Sequence, residues 1–299
     1  MDFNEQIRRN KSATTRLFIV VFLILAGLVY GVGVLLGYPP TVTAPAAIIG
    51  GLIYLAITSS FSVEAILRSA RARPANPNVR EEKLLLYKVE ELSIAAGLPV
   101  PKVYVQEDDD INAFATGRKP EEGIVCVTTT ALRELNQEEL EGVLAHELSH
   151  IKNYDIRVTT YAIALIGLIA MIAEITFRAM FFSRGGRKSD VHPAVFLVAI
   201  ALAILAPILS RLVYLSISRK REYLADATGV ALSRNPEGLA NALEKIANRQ
   251  PKPHHGDRTV ASLYLDNPFR QLGKKERNSI WSTHPPLSDR IARLRGQQK

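Results

Sequence analysis

Leu144-Ala145-His146-Glu147-Leu148-Ser149-His150 sets two histidines four residues apart, with a glutamate directly after the first. Residues i and i+4 of an α-helix share one face, so both imidazoles can reach a single metal ion. Glu147 can then turn toward a water beside that ion. This His-Glu-x-x-His arrangement is the signature of zinc proteases, in which the glutamate serves as general base. The competing reading is two polar histidines on an amphipathic helix. That reading is weak, because the chain has only six histidines and the pattern arises by chance in roughly one chain in a hundred of this length. A single cysteine, Cys126, excludes an internal disulfide and a CxxC metal motif, and reads as a small buried hydrophobe in a strand.

Working outward, Asn136 with Glu139 three positions later forms a capping box that starts the His146 helix. Upstream, Arg80–Ala96 has helical periodicity and stops at Gly97-Leu98-Pro99. Val103–Gln106, Ile111–Thr116 and Gly123–Thr128 are short runs bounded by Gly, Pro and acidic clusters, and read as strands. Downstream, 219–247 reads as a helix or helix pair broken near Asn235-Pro236, and 285–296 as a last short helix.

Long apolar runs lie on either side of this α+β unit. A bilayer core takes ~20 helical residues to cross. Leu17–Tyr38 and Thr43–Phe61 meet that length without a charge and are joined through Pro39-Pro40. Arg8, Arg9, Lys11 and Arg16 precede the pair, and Arg68, Arg71 and Arg73 follow it, so the positive-inside bias sets both ends in the cytoplasm. Val158–Phe182 and His192–Ile217 form a second candidate hairpin, interrupted by Glu174, Arg178 and Arg211 and joined by the basic loop 183–188. The net charge of +8 sits mainly in 218–299, where sixteen basic residues face eight acidic ones. On a chain with apolar spans this suits anionic lipid headgroups, and no nucleic-acid recognition motif accompanies it.

A catalytic zinc needs a third protein ligand and one open position. His192 begins the fourth apolar run at its far end, and His254-His255 sits in a Pro/Lys-rich loop. Glu222, in Arg219-Lys220-Arg221-Glu222-Tyr223-Leu224-Ala225-Asp226, stands where the fourth run ends, with Asp226 one turn later on the same face. An aspartate there can accept the free N–H of a liganding histidine. On chemistry alone the assignment stays open, since Glu and Asp at i and i+4 are common on solvated helices.

His146-Glu147-x-x-His150, Arg221-Glu222-Tyr223-x-Ala225-Asp226, and Ser282-Thr283-His284-Pro285-Pro286 followed by Asp289-Arg290-Ile291 together resemble the HtpX family of membrane-bound zinc endopeptidases, kin to the CaaX prenyl proteases. The likeness extends to the amino-terminal hairpin and to Asn112-Ala113-Phe114-Ala115, so it covers nearly the whole chain. It implies one zinc ion (Zn2+) per chain held by His146, His150 and Glu222, with Asp226 beside a ligand. It implies Glu147 as catalytic base, and His284 and Arg290 near the site to help hold the oxyanion or the substrate. Asn112, Ala113 and Phe114 resemble the edge strand on which a substrate backbone lies. The segment 248–280 matches no motif.

The expected fold is a mainly α multi-pass membrane protein with a small β layer and a zincin-like catalytic domain. The expected segments are a transmembrane hairpin and linker over 1–79, the α+β unit over 80–157, a second membrane-embedded hairpin over 158–217 and a helical part over 218–299. The expected activity is hydrolysis of peptide bonds by a membrane-bound zinc metalloendopeptidase acting on unfolded or misfolded membrane proteins, in the quality control of the cell (inner) membrane, with its site facing the cytoplasm. The expected partners are those substrates and the lipid bilayer, with no nucleic acid. A prenyl-protein endopeptidase shares the zinc chemistry but needs a longer chain with more helices. A non-catalytic membrane scaffold with a zinc site would be indifferent to Glu147.

Overall fold

The computed structural model describes residues 3–35, 37–165, 200, 219–249, 263–265 and 285–296. They fall into two compact units, drawn from 1–11, 63–160 and 217–299 and from 12–62 and 161–216.

In the second unit, α1 (Phe3–Leu35) continues from the first, and α2 (Pro40–Ser69) follows a short turn. Asn10–Gly31 and Pro40–Ser69 are long and apolar enough to cross a membrane. Their large apolar side chains, among them Leu23, Ile49, Leu52 and Phe61, are exposed on the protein surface, which suits lipid as solvent. A Cβ at Gly51 would come within 2.8 Å of the Phe22 ring, so glycine lets α2 approach α1 there. Most of the second expected hairpin, with Glu174, Arg178, Arg211 and loop 183–188, lies outside the described residues.

The first unit is a four-stranded mixed sheet with helices against it. Strand order is β1 (Ala72–Pro74), β2 (Lys102–Gln106), β4 (Ile124–Thr128), β3 (Ala113–Thr116). Only the β2–β4 pair is parallel. Every residue of the central strand β4 is buried, including Cys126. Strand β1 went unread in the sequence, because three residues ending in proline show no alternation. It is held as an edge strand by Arg73, whose guanidinium donates to both Glu82 oxygens at 2.7 and 2.9 Å.

Helix α3 (Arg80–Ala96) ends as its sequence predicts: Gly97 takes φ +66° and donates to the Ile94 carbonyl. Strand β4 runs into α4 (Thr129–Glu134), whose N-cap Thr128 accepts from Ala131 N–H. The catalytic-motif helix α5 (Gln137–Lys152) then opens with the expected capping box. Asn136 Oδ1 accepts from Glu139 N–H at 2.9 Å, and Asn136 N–H donates to Glu139 Oε2 at 2.8 Å. After a turn at 153–154, helix resumes over 155–165. The expected break at Asn235-Pro236 separates α6 (Arg219–Ser233) from α7 (Pro236–Asn248), and α8 (Leu287–Leu294) completes the unit. Val143, Leu144 and Leu148 of α5 pack between the sheet residues Val105, Val125 and Val127 and Leu239 and Leu243 of α7.

Two glycines set the spacing around α5. A Cβ at Gly229 would lie 3.0 Å from the His146 backbone nitrogen, so α6 can pass directly over the first histidine. A Cβ at Gly142 would lie 2.5 Å from the Leu239 backbone nitrogen, so α7 touches α5 main chain. Gly142→Ala should therefore destabilise the protein by about 1–3 kcal/mol, the usual cost of overpacking, seen as a lower unfolding midpoint in detergent.

Candidate metal centre

His146 and His150 project from α5 with their rings perpendicular and 4.8 Å apart. Each Nδ1 meets a carboxylate. His146 Nδ1 lies 2.9 Å from Asp226 Oδ1, and His150 Nδ1 lies 3.1 Å from Asp155 Oδ2. Carboxylates only accept hydrogen bonds, so each Nδ1 carries the proton and each Nε2 presents a lone pair. These two Nε2 atoms face one another at 3.2 Å. Helix α6 brings Glu222 to the same point, with its oxygens 3.8 Å from His146 Nε2 and 3.7 Å from His150 Nε2.

Lone pairs set head to head beside a carboxylate repel unless a cation lies among them. Two nitrogens bound at 2.0–2.1 Å to a tetrahedral ion stand about 3.3 Å apart, close to the observed separation. The three ligand atoms lie within 4.8 Å of one another, and among the described residues this is the one such group of His, Cys, Asp or Glu. The donor set of two imidazoles and a carboxylate is that of a catalytic zinc site. The residues present fit the metal.

Charge around the triad points the same way. Glu147, Asp155, Glu222 and Asp226 are all buried and gather beside two guanidiniums, Arg290 and Arg221. Burial opposes the charged His150 imidazole, but the Asp155 hydrogen bond and the Glu222 and Glu147 carboxylates outweigh it and lift the group to about 9, so a positive charge, whether a proton or a metal ion, is favoured there. Burial raises the Glu147 carboxyl above its ordinary value, against the pull of the His146 and His150 rings. A carboxyl raised in this way holds a proton more readily than an exposed one.

Arg290, expected beside the site, is fully buried on α8 and grips Asp226 side-on, Nε to Oδ2 at 2.9 Å and Nη2 to Oδ1 at 2.6 Å. Its immediate partner is thus the carboxylate that orients His146. Asp155 escaped the sequence reading. It follows the second histidine by five residues, across a helix break, where periodicity carries no signal. His284, His192 and the pair His254-His255 lie outside the described residues.

The triad, Glu147 and the segment 263–265 line a cavity of about 30 Å³, room for a water or two. Ala115 of β3 forms part of its wall. Along β3, Asn112 turns its carbonyl to Thr128 N–H of β4, and the Ala113 carbonyl points outward, where it accepts from Leu265 N–H at 2.9 Å. Phe114 is buried with its ring edge-on to Tyr264, and Tyr264 OH donates to Gln106 Oε1 at 2.7 Å.

The model of peptidase family M48 matches residues 80–298, the stretch that contains β2–β4 and His146, His150 and Glu222. The chain belongs to this family. It is 41% identical over 296 residues to a protease HtpX homolog of Streptococcus agalactiae serotype III (strain NEM316), 97% of this chain and 98% of that one. It is 42% identical over 300 residues to the homolog of Streptococcus gordonii (strain Challis) and 40% over 298 to that of Lactobacillus helveticus (strain DPC 4571), with the same shares of each chain. The crystal structure of S. mikatae Ste24p superposes with a TM-score of 0.44 at 18% identity, over 94% of this chain and 67% of that one, too remote for a residue-level argument. The resemblance read from the three sequence motifs is borne out. The chain is a membrane metalloprotease, a hydrolase of peptide bonds, and its described spans associate it with a membrane.

The Asp226–Arg290 pair makes a stability prediction. Burial alone would raise the Asp226 carboxyl, but the Arg290 guanidinium and the His146 ring hold it well below the usual carboxylate range. A carboxylate depressed on folding adds stability above its unfolded value of ~3.9, and that stability is lost as pH falls toward the folded value. Asp226→Asn should cost about 3–5 kcal/mol at neutral pH, as for breaking a buried pair. Denaturant midpoints measured from pH 6 to pH 3 should fall less steeply in the variant than in the wild type.

Proposed function

We propose that His146, His150 and Glu222 hold one zinc ion per chain and that Glu147 is the general base of a zinc endopeptidase acting on unfolded segments of membrane proteins. The observation that carries this reading is the pair of Nε2 lone pairs facing at 3.2 Å with Glu222 beside them, above the cavity that Glu147 lines. Zinc in that position supplies a Lewis acid that makes water a nucleophile at neutral pH and draws charge from a carbonyl oxygen. Glu147 takes a proton from the attacking water and returns it to the leaving amine. Asp226 and Asp155 keep the two imidazoles in the Nδ1–H form, and Arg290 holds Asp226 in place. His284, by the family resemblance, helps hold the oxyanion.

Substrate would enter as an extended strand on the outward edge of β3. The Ala113 carbonyl offers one acceptor there, now taken by Leu265, and Ala115 leads the strand toward the cavity. Backbone pairing gives affinity with little sequence preference. Asn112 and Phe114 shape that edge from within, through their bonds and packing to β4 and Tyr264. Only an unfolded segment can add in this way, which supports damaged or misfolded membrane proteins as substrates and a role in quality control. The basic flanks of α1 and α2 support a multi-pass arrangement in the cell (inner) membrane with this site in the cytoplasm.

Purified wild type should carry about one zinc per chain, and His146→Ala, His150→Ala and Glu222→Ala should each lose it on metal analysis. Glu147→Gln should retain the metal while hydrolysis of an unfolded casein-type substrate falls at least ~10²-fold, the lower end for losing a general base. Full zinc and full activity in Glu222→Ala would remove it as third ligand. Undiminished hydrolysis by Glu147→Gln would remove the base. For topology, single cysteines at Asn4 and Pro40 in a Cys126→Ser background should separate: an impermeant reagent added outside should label position 40 and leave position 4 unlabelled.

A further inference from the structure

Asn10 stands at the root of the first apolar helix, 4% exposed, in the same compact unit as the metal centre. Its side-chain amide donates twice from Nδ2, to the Asn153 carbonyl at 2.7 Å and to Asp155 Oδ1 at 2.7 Å. Both partners accept only, so the amide nitrogen must face them and the orientation follows from chemistry. The other oxygen of the same aspartate, Oδ2, meets His150 Nδ1 at 3.1 Å. Asn10 and a metal-site histidine thus share one buried carboxylate, 145 residues along the chain from Asn10.

The turn that presents Asp155 is strained. Helix α5 ends at Asn153, and Tyr154 takes φ +59°, a left-handed conformation that costs a non-glycine residue roughly 1 kcal/mol or more. The next residue of α1 holds this turn as well: Lys11 Nζ sits 4.6 Å from the centre of the Tyr154 ring. Consecutive residues of α1 therefore grip consecutive elements of the turn. Lys11 is on the tyrosine, and Asn10 is on the carbonyl before it and the carboxylate after it.

We propose that Asn10 is a positioning residue of the metal centre, fixing the Asp155 carboxylate so that its second oxygen orients His150 toward the ion. The proposal rests on the zinc reading above. A simple helix-capping role would need only the bond to the Asn153 carbonyl. The bond to Asp155 Oδ1 is what ties Asn10 to the ligand, and supporting carboxylates of this kind are typically worth about 10–100-fold in metal affinity.

The test uses the full chain in detergent with cobalt(II) and zinc(II) as probes, reading the cobalt visible spectrum and affinity by chelator competition. One tight equivalent in wild type upholds the zinc reading, and failure there would sink that reading by itself. Asn10→Leu keeps the side chain's approximate volume and removes both donors. It should weaken metal binding by about 10–100-fold and shift the cobalt bands. In an Asp155→Ala background, the same Asn10→Leu change should alter metal affinity no further, because the carboxylate it acts through is gone. Wild-type affinity and spectrum in folded Asn10→Leu would overturn the proposal. So would an equal loss in both backgrounds, which would mark a structural effect independent of Asp155. Should the leucine variant not fold, Asn10→Ser retains one donor and should show a smaller loss in the same direction, and no loss in that variant overturns the proposal equally.

Discussion

Two imidazoles face each other through their Nε2 atoms at 3.2 Å, and each ring is anchored from behind by a buried carboxylate. The proposed metal centre depends on this constraint. Asp226 and Asp155 decide which nitrogen keeps its proton, and so which nitrogen is offered to an ion. Without them the rings could rotate or exchange tautomers, and Glu222 would face an undefined pair of donors. A ligand set is only as well ordered as the groups behind it.

Anchoring by buried carboxylates creates a second problem, since a charge removed from water needs compensation. Arg290 supplies it for Asp226 through two parallel hydrogen bonds, the planar fork that guanidinium alone among side chains provides. Asn10 and Arg221 do so for Asp155, one by donation and the other from 3.8 Å. The site is therefore assembled from the root of α1, the end of α5 with its following turn, the first turn of α6, and α8. Glycine at 229 is what lets α6 come close enough for Glu222 to join the histidines.

The sheet gives the site its other wall. Strand β3 is an edge strand, and an edge with outward carbonyls invites pairing. Here the segment 263–265 takes that place at Ala113, anchored by Tyr264 against Phe114 and Gln106. A proposed substrate strand would have to compete for this edge, so access to the cavity and occupancy of β3 are linked. The stretch 248–280, which matched no motif in the sequence, contributes directly to the cavity lining through these three residues.

Much of this was legible because it is local. Helical spacing alone put His146 and His150 on one face, the capping box at Asn136 and Glu139 started their helix, Gly97 stopped α3, and uncharged runs long enough to span marked α1 and α2. Glu222 and Asp226 stood out only through the family resemblance of their motif, since their spacing alone is common on solvated helices. Each of these signals lies within one turn, one cap or one run, where backbone geometry relates neighbours in the chain. Strand β1 was not legible, since it exists only through pairing with β2 and the Arg73–Glu82 bond. Nor were Asp155 behind His150, Arg290 on Asp226, Asn10 on Asp155, or Leu265 on Ala113. These contacts join residues separated by helix breaks or by 64 to 152 positions, and their geometry is set by how close the helices pack. The sequence by itself determined which chemistry the chain carries. Only the tertiary structure decided which nitrogen of each histidine faces Glu222 and which faces a carboxylate, because that depends on partners brought together by packing.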